Sequence, residues 1–145
     1  MLEAARPNTQ RREFRPDNQP FSFPLLLRAF LALVRMDLRL ARRGFASLHE
    51  VVKQIPLKSR GASVPSEGCV CQAVDLACAL YFKQVLCLQR SAAATDLLRR
   101  YGIPAEMVIG VQQCPFRAHA WVEVAGKVIN DKPYTSELYT VMDRC

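Results

Sequence analysis

The chain has 145 residues, half of them hydrophobic, which is enough for one domain with its own core and too few for a second of similar size. Its formal charge of +7 is unevenly placed: residues 1–20 carry four Arg/Lys against three Asp/Glu, residues 21–60 eight against two, and residues 61–145 eight against eight. The segment 21–60 is therefore the expected docking surface, and because it has no aromatic ladder and fits no recognition motif, nucleic acid is not the expected partner.

Residues 1–20 are polar, rich in Arg, Asn and Pro, and lack periodicity, so they read as a disordered arm. They contain no apolar signal-peptide region, which points to the cytoplasm. In a reducing compartment the six cysteines, Cys69, Cys71, Cys78, Cys87, Cys114 and Cys145, are expected as thiols. No metal is expected: Cys69 and Cys71 form an unusually tight pair, and only His49 and His119 could add imidazole ligands.

Order is expected to begin at SFPLLL, with Ser22 as cap and Pro24 in the first turn of a helix. LLLRAFLALVRMDLRLARRG continues that helix to Gly44. Arg28, Arg35, Arg39 and Arg42 follow its period, and the spacing is read as placing them opposite Leu27, Leu31, Val34, Leu38 and Ala41. The charges interrupt every apolar run far short of the roughly 20 residues a membrane span needs, attachment to an anionic membrane surface stays open, and the favoured reading of the face is a solvated basic surface on a helix packed against the domain. ASLHEVVKQI predicts a second short helix before Pro56, and PLKSRGASVPSEG a loop. The chain thus divides into an arm (1–20), a basic helical segment (21–60) and a catalytic-looking domain (61–145).

CVCQAVDLACALYF has helical spacing, with Val70, Val74, Ala77 and Leu80 or Tyr81 sharing a face. CLQRSAAATDLLRRYG predicts a helix ended by Gly102. IPAEMVIGVQ, AHAWVEVAG and KVINDKPY predict three strands, the last two joined by a turn at Ala125-Gly126. The expected class is α+β, with helices packed on a small antiparallel sheet.

Cys87 falls at the start of a predicted helix, where free backbone N–H groups and the helix field favour a thiolate and can supply an oxyanion donor. His119 alternates with Ala118 and Ala120 along a strand, together with Trp121 and Glu123, and Glu123 reads either as a surface charge or as a partner of the histidine. A hairpin turning at Ala125-Gly126 pairs residue i with about 251 − i, which brings Asp131 beside Ala120 and within one position of His119. A carboxylate there would fix the imidazole tautomer. Asn130 could take the same role, and spacing alone also admits Cys87 as core packing, His119 as a hydrogen-bonded sheet residue and Asp131 as a turn residue.

The segments CLQRSAAATDLLRRYGIPAEMVIGV and PFRAHAWVEVAGKVIND resemble the leader-peptide-processing proteins of lasso-peptide biosynthesis. The motifs cover roughly residues 69–131, and the similarity is looser over 21–60. The resemblance implies a transglutaminase-like, papain-like cysteine protease fold. The family's Cys-Leu-x-Arg-Ser cysteine matches Cys87, its Ala-His-Ala-Trp histidine His119 and its Asn-Asp acid Asp131. Gln89, Ala92 and Thr95 depart from the more hydrophobic residues common in that helix. Gln84 is a candidate oxyanion donor, and Arg90 and Ser91 are expected to brace the helix or shape the cleft. About 65 residues, read as arm and basic helices, precede the matched region, and the resemblance implies a split arrangement: a separate small leader-binding protein, a precursor peptide as substrate and a lasso cyclase as the next partner. Arg28, Arg35, Arg39 and Arg42 would then dock the partner or the leader. The family also suggests ATP dependence of the assembled system, but no phosphate loop is visible and no cofactor is assigned to this chain. Another cysteine acyl transfer and a non-catalytic adaptor are the rival readings.

Overall fold

A computed structural model describes residues 22–145. The expected arm over 1–20 lies outside the described residues. Helix α1 (Phe23–Gln54) starts after Ser22 with Pro24 in its first turn, as expected, but the Ser22 side chain makes no capping hydrogen bond. Gly44, at φ 74° and ψ −177°, interrupts it where the sequence places a stop. Helices α2 (Glu67–Leu80) and α3 (Cys87–Arg100) follow. The Ser66 hydroxyl caps α2 by accepting from the Cys69 N–H at 3.2 Å. Gly102, at φ 76°, ends α3 in a Schellman turn, with its N–H bonded to the Arg99 carbonyl and that of Ile103 to Leu98.

The sheet has the order β3-β2-β1-β4 and is antiparallel throughout, formed by β1 (Ala105–Gln113), β2 (Phe116–Val124), β3 (Lys127–Val128) and β4 (Thr140–Arg144). Ala125 (φ 50°) and Gly126 (φ 74°) make the two-residue turn, and Glu123↔Val128 and Val124↔Lys127 reproduce the expected register. Two differences stand out. The third strand is only two residues long, and β4, with the single-turn helix α4 (Thr135–Leu138) before it, was not foreseen. All five β4 side chains are exposed, so no alternation of burial marks it in the sequence.

Helix α3 is the centre of the molecule. Every residue from Ser91 to Leu98 is buried, with α1 and α2 packed on one side and β1 and β2 on the other. Ala92, Ala93 and Ala94 keep it slim enough for neighbours on several sides. One hydrophobic cluster joins Leu33, Leu48 and Val52 of α1 to Val70 and Val74 of α2, Leu98 of α3, and Met107 and Val122 of the sheet. The basic segment therefore shares its core with the remainder.

The inward face of α1 is not the expected one. Leu25, Ala29, Ala32, Leu33 and Met36 are buried, whereas Leu27, Leu31 and Leu38 are exposed at 49%, 53% and 44%. The helix carries two apolar stripes, and periodicity alone could not say which one meets the core. The arginines flank the outer stripe rather than oppose it, since Arg28 and Arg35 lie three residues before Leu31 and Leu38. On α2, Leu80 is 61% exposed, and Tyr81 takes the inward position.

Candidate active site

Cys87 is the first residue of α3, after Leu86 as N-cap. Leucine offers no side-chain acceptor, and the first helical amide bonded back to a carbonyl is Arg90 N–H to Leu86. Helix starts normally favour Ser, Thr, Asp or Asn at that point, because their side chains occupy the free amides. Here those amides are left for another acceptor.

His119 sits in β2 opposite Gly110 of β1, and its Nε2 lies 2.5 Å from Oδ2 of Asp131. Both side chains are about one-fifth exposed, at 23% and 21%. Asp131 follows β3 at the open edge of β2, and its other oxygen accepts from the Lys132 N–H at 2.7 Å. Burial raises the Asp131 carboxyl. The hydrogen bonds from His119 and Lys132 and the charges of His119 and Arg90 outweigh it, leaving the group below its ordinary value.

The imidazole has an aromatic floor. Trp121 stacks with it at 6.1 Å between ring centroids, and Tyr139 lies tilted against it at 5.2 Å. Gly110 makes room for both, because a Cβ there would stand 2.7 Å from Trp121 Cη2 and 2.9 Å from Tyr139 Cβ. Trp121 is held in turn by its Nε1–H donating to Glu123 at 2.8 Å, and Arg144 closes on the other Glu123 oxygen at 2.6 Å. Glu123 is thus neither a surface charge nor a partner of His119. Burial raises its carboxyl, but the bonds from Arg144 and Trp121 leave it lowered.

Asn130 does not orient His119. It is buried, its Oδ1 accepts from the Val122 N–H at 2.7 Å, and its Nδ2 donates to the Ser91 hydroxyl at 3.1 Å. Ser91 donates to the Ala120 carbonyl at 3.0 Å. This clamp ties α3, one turn beyond Cys87, to the strand position next to His119. The Asn-Asp doublet therefore has two functions, one for each residue.

Arg90 braces α3 on α2 through Asp75 at 2.6 Å. Gln84 lies exposed on the connection before Cys87. Arg28 donates to the Tyr101 hydroxyl at 3.0 Å, Arg35 and Arg42 are exposed, and Arg39 is partly so. Asp37, not singled out in the sequence, is buried in α1 and accepts from Tyr81 (2.9 Å) and Gln89 (3.3 Å), with Lys83 at 2.9 Å. It therefore pins both ends of the loop that leads to Cys87. No sequence signal marked it, because periodicity does not identify the stripe of α1 that faces the core, and a carboxylate stands out only once that stripe is known.

Cys71 and Cys145 are buried, and burial pushes their thiols up to about 12 and about 11. All six cysteines are free. Among the described residues no three His, Cys, Asp or Glu side chains gather as metal ligands, and no helix is long and apolar enough to cross a membrane.

A family model described as the transglutaminase-like superfamily matches residues 30–144. A stretch of 56 residues is 45% identical to the microcin J25-processing protein McjB of Escherichia coli, covering 39% of this chain and 27% of that protein. No solved structure matches.

Proposed function

The chain belongs to the transglutaminase-like superfamily, and on that premise we propose that it is a cytoplasmic cysteine peptidase that removes the leader from a lasso-peptide precursor, working with a separate leader-binding protein. The observation that carries this reading is the His119–Asp131 pair, held at 2.5 Å beside the strand position to which the Cys87 helix is clamped.

With Nε2 committed to Asp131, Nδ1 is the nitrogen that takes the Cys87 thiol proton. The thiolate attacks the carbonyl of the last leader residue. The oxyanion is met by the Cys87 N–H, which the leucine cap leaves free, and by Gln84 as a side-chain donor. His119 then protonates the departing amine, which is the new N-terminus of the core peptide. Water, deprotonated by His119, hydrolyses the leader thioester. Arg28, Arg35, Arg39 and Arg42 engage the leader-binding protein or the leader, and a cyclase consumes the released core. Any ATP requirement belongs to that assembly.

Intact-mass analysis tests the reading on a precursor peptide incubated with this protein and its leader-binding partner. Two fragments summing to the precursor plus one water, lost in Cys87→Ala and nearly lost in His119→Ala, are expected. Asp131→Ala should retain more activity than His119→Ala, since it removes only the orienting group. The superfamily assignment also favours a second reading, acyl transfer to an amine. A product heavier by the acceptor instead of water would select it. Full pathway function in Cys87→Ala would leave only an adaptor.

A further inference from the structure

The outer stripe of α1 has a regularity that the core does not require. Leu27, Leu31, Val34, Leu38 and Ala41 recur at intervals of four, three, four and three residues, the 3.5-residue period of a helix–helix seam. The stripe runs about 21 Å at 1.5 Å per residue. Its leucines are 44–53% exposed although they lie on a well-formed helix. Phe30, three residues after Leu27 and four before Val34, packs edge-on against Tyr81 at 5.7 Å. Tyr81 in turn contacts Phe82 at 4.6 Å, and Phe82 is 81% exposed. The apolar surface therefore reaches the loop that delivers Cys87.

Arginines border the stripe, and none of the ion pairs among the described residues engages Arg35, Arg39 or Arg42. We propose that this face docks one amphipathic α-helix of a partner protein, with leucine-type residues at the same 3–4 spacing and Asp or Glu beside them. Charge selects this occupant. A second copy of the chain would bring the same arginines face to face, and unscreened like charges oppose that pairing. A lipid surface calls for a broad apolar face, whereas α1 has its other face in the core and leaves only a narrow seam outside. The sequence of residues 1–20 lacks the 3–4 apolar period that such a helix needs. Naming the leader-binding protein as the owner of that helix rests on the peptidase reading; the chemistry of the surface does not. A partner seated there would touch Phe82 and so lie next to the loop before the nucleophile.

The test uses the full chain and a synthetic 21-residue helix with leucines at 3–4 spacing flanked by glutamates, followed by fluorescence anisotropy. Binding at micromolar concentration is expected, weakened at least about tenfold by Leu31→Glu with Leu38→Glu and by Arg35→Glu with Arg39→Glu, and weakened by salt. The same helix flanked by lysines should not bind the parent chain. Circular dichroism of both double variants checks that these exposed sites leave the fold intact. Absence of binding to the acidic helix, equal binding of the lysine helix, or unchanged affinity in the leucine variant would overturn the proposal. So would a stripe-dependent dimer in sedimentation, or stripe-dependent binding to phosphatidylglycerol vesicles without helix binding. None of these outcomes depends on precursor cleavage, so failure here is separable from failure of the peptidase reading.

Discussion

Replacing Ser91 by alanine probes the clamp between the nucleophile helix and the histidine strand. The residue is fully buried, and its hydroxyl both donates to the Ala120 carbonyl at 3.0 Å and accepts from Asn130 Nδ2 at 3.1 Å. Alanine leaves two buried polar groups without a partner, at about 1–3 kcal/mol each. It returns about 0.5 kcal/mol through its better helix propensity. The expected net loss is about 2–5 kcal/mol, a large share of the roughly 5–15 kcal/mol that stabilises a domain. Trp121 is the single tryptophan and is fully buried in β2, so urea denaturation followed by its emission reads the sheet directly. The midpoint should fall while the slope stays unchanged. A loss below about 0.5 kcal/mol, within the range of ordinary surface substitutions, would refute the clamp.

Gly110→Ala should destabilise by about 1–3 kcal/mol, because its Cβ would meet Trp121 at 2.7 Å and Tyr139 at 2.9 Å, and turnover should fall as the floor under His119 shifts. Thermal melts and cleavage rates on the same sample check both effects. Acid should unfold the protein through its lowered carboxylates. Asp37, Glu123 and Asp131 have folded values below their unfolded ones, so their contribution is complete above about pH 5 and is lost as pH falls through the folded values. Glu123→Gln should therefore flatten the dependence of stability on pH below about pH 5, as measured by urea melts between pH 7 and pH 3. Native alkylation with iodoacetamide at neutral pH should spare Cys71 and Cys145, whose buried thiols stand near 12 and 11, and label exposed Cys114. Mass mapping that found Cys71 modified before Cys114 would contradict the burial assigned to α2.

Local chemistry made much of this chain legible. Gly102 ends α3, Pro24 opens α1, and Ala125-Gly126 turns the hairpin in the register that puts Asp131 beside His119. Each depends on a few consecutive residues whose backbone preferences hold in any context. Strand β4 was illegible because an edge strand paired on one side, with every side chain exposed, needs no alternation of apolar residues.

Side chains that look alike in sequence were divided only by the fold. Asn130 and Asp131 are adjacent polar residues after a strand, yet one holds α3 to β2 and the other meets His119. The same is true of Glu123, hidden beneath Arg144 from a strand 21 residues away, and of the two leucine-containing stripes of α1. Helices, hairpin and chemical candidates were legible from consecutive residues, because capping, turn conformation and periodicity are short-range. Tertiary structure alone decided which stripe faces the core and which polar group meets which partner, because those outcomes depend on surfaces that distant segments bring together.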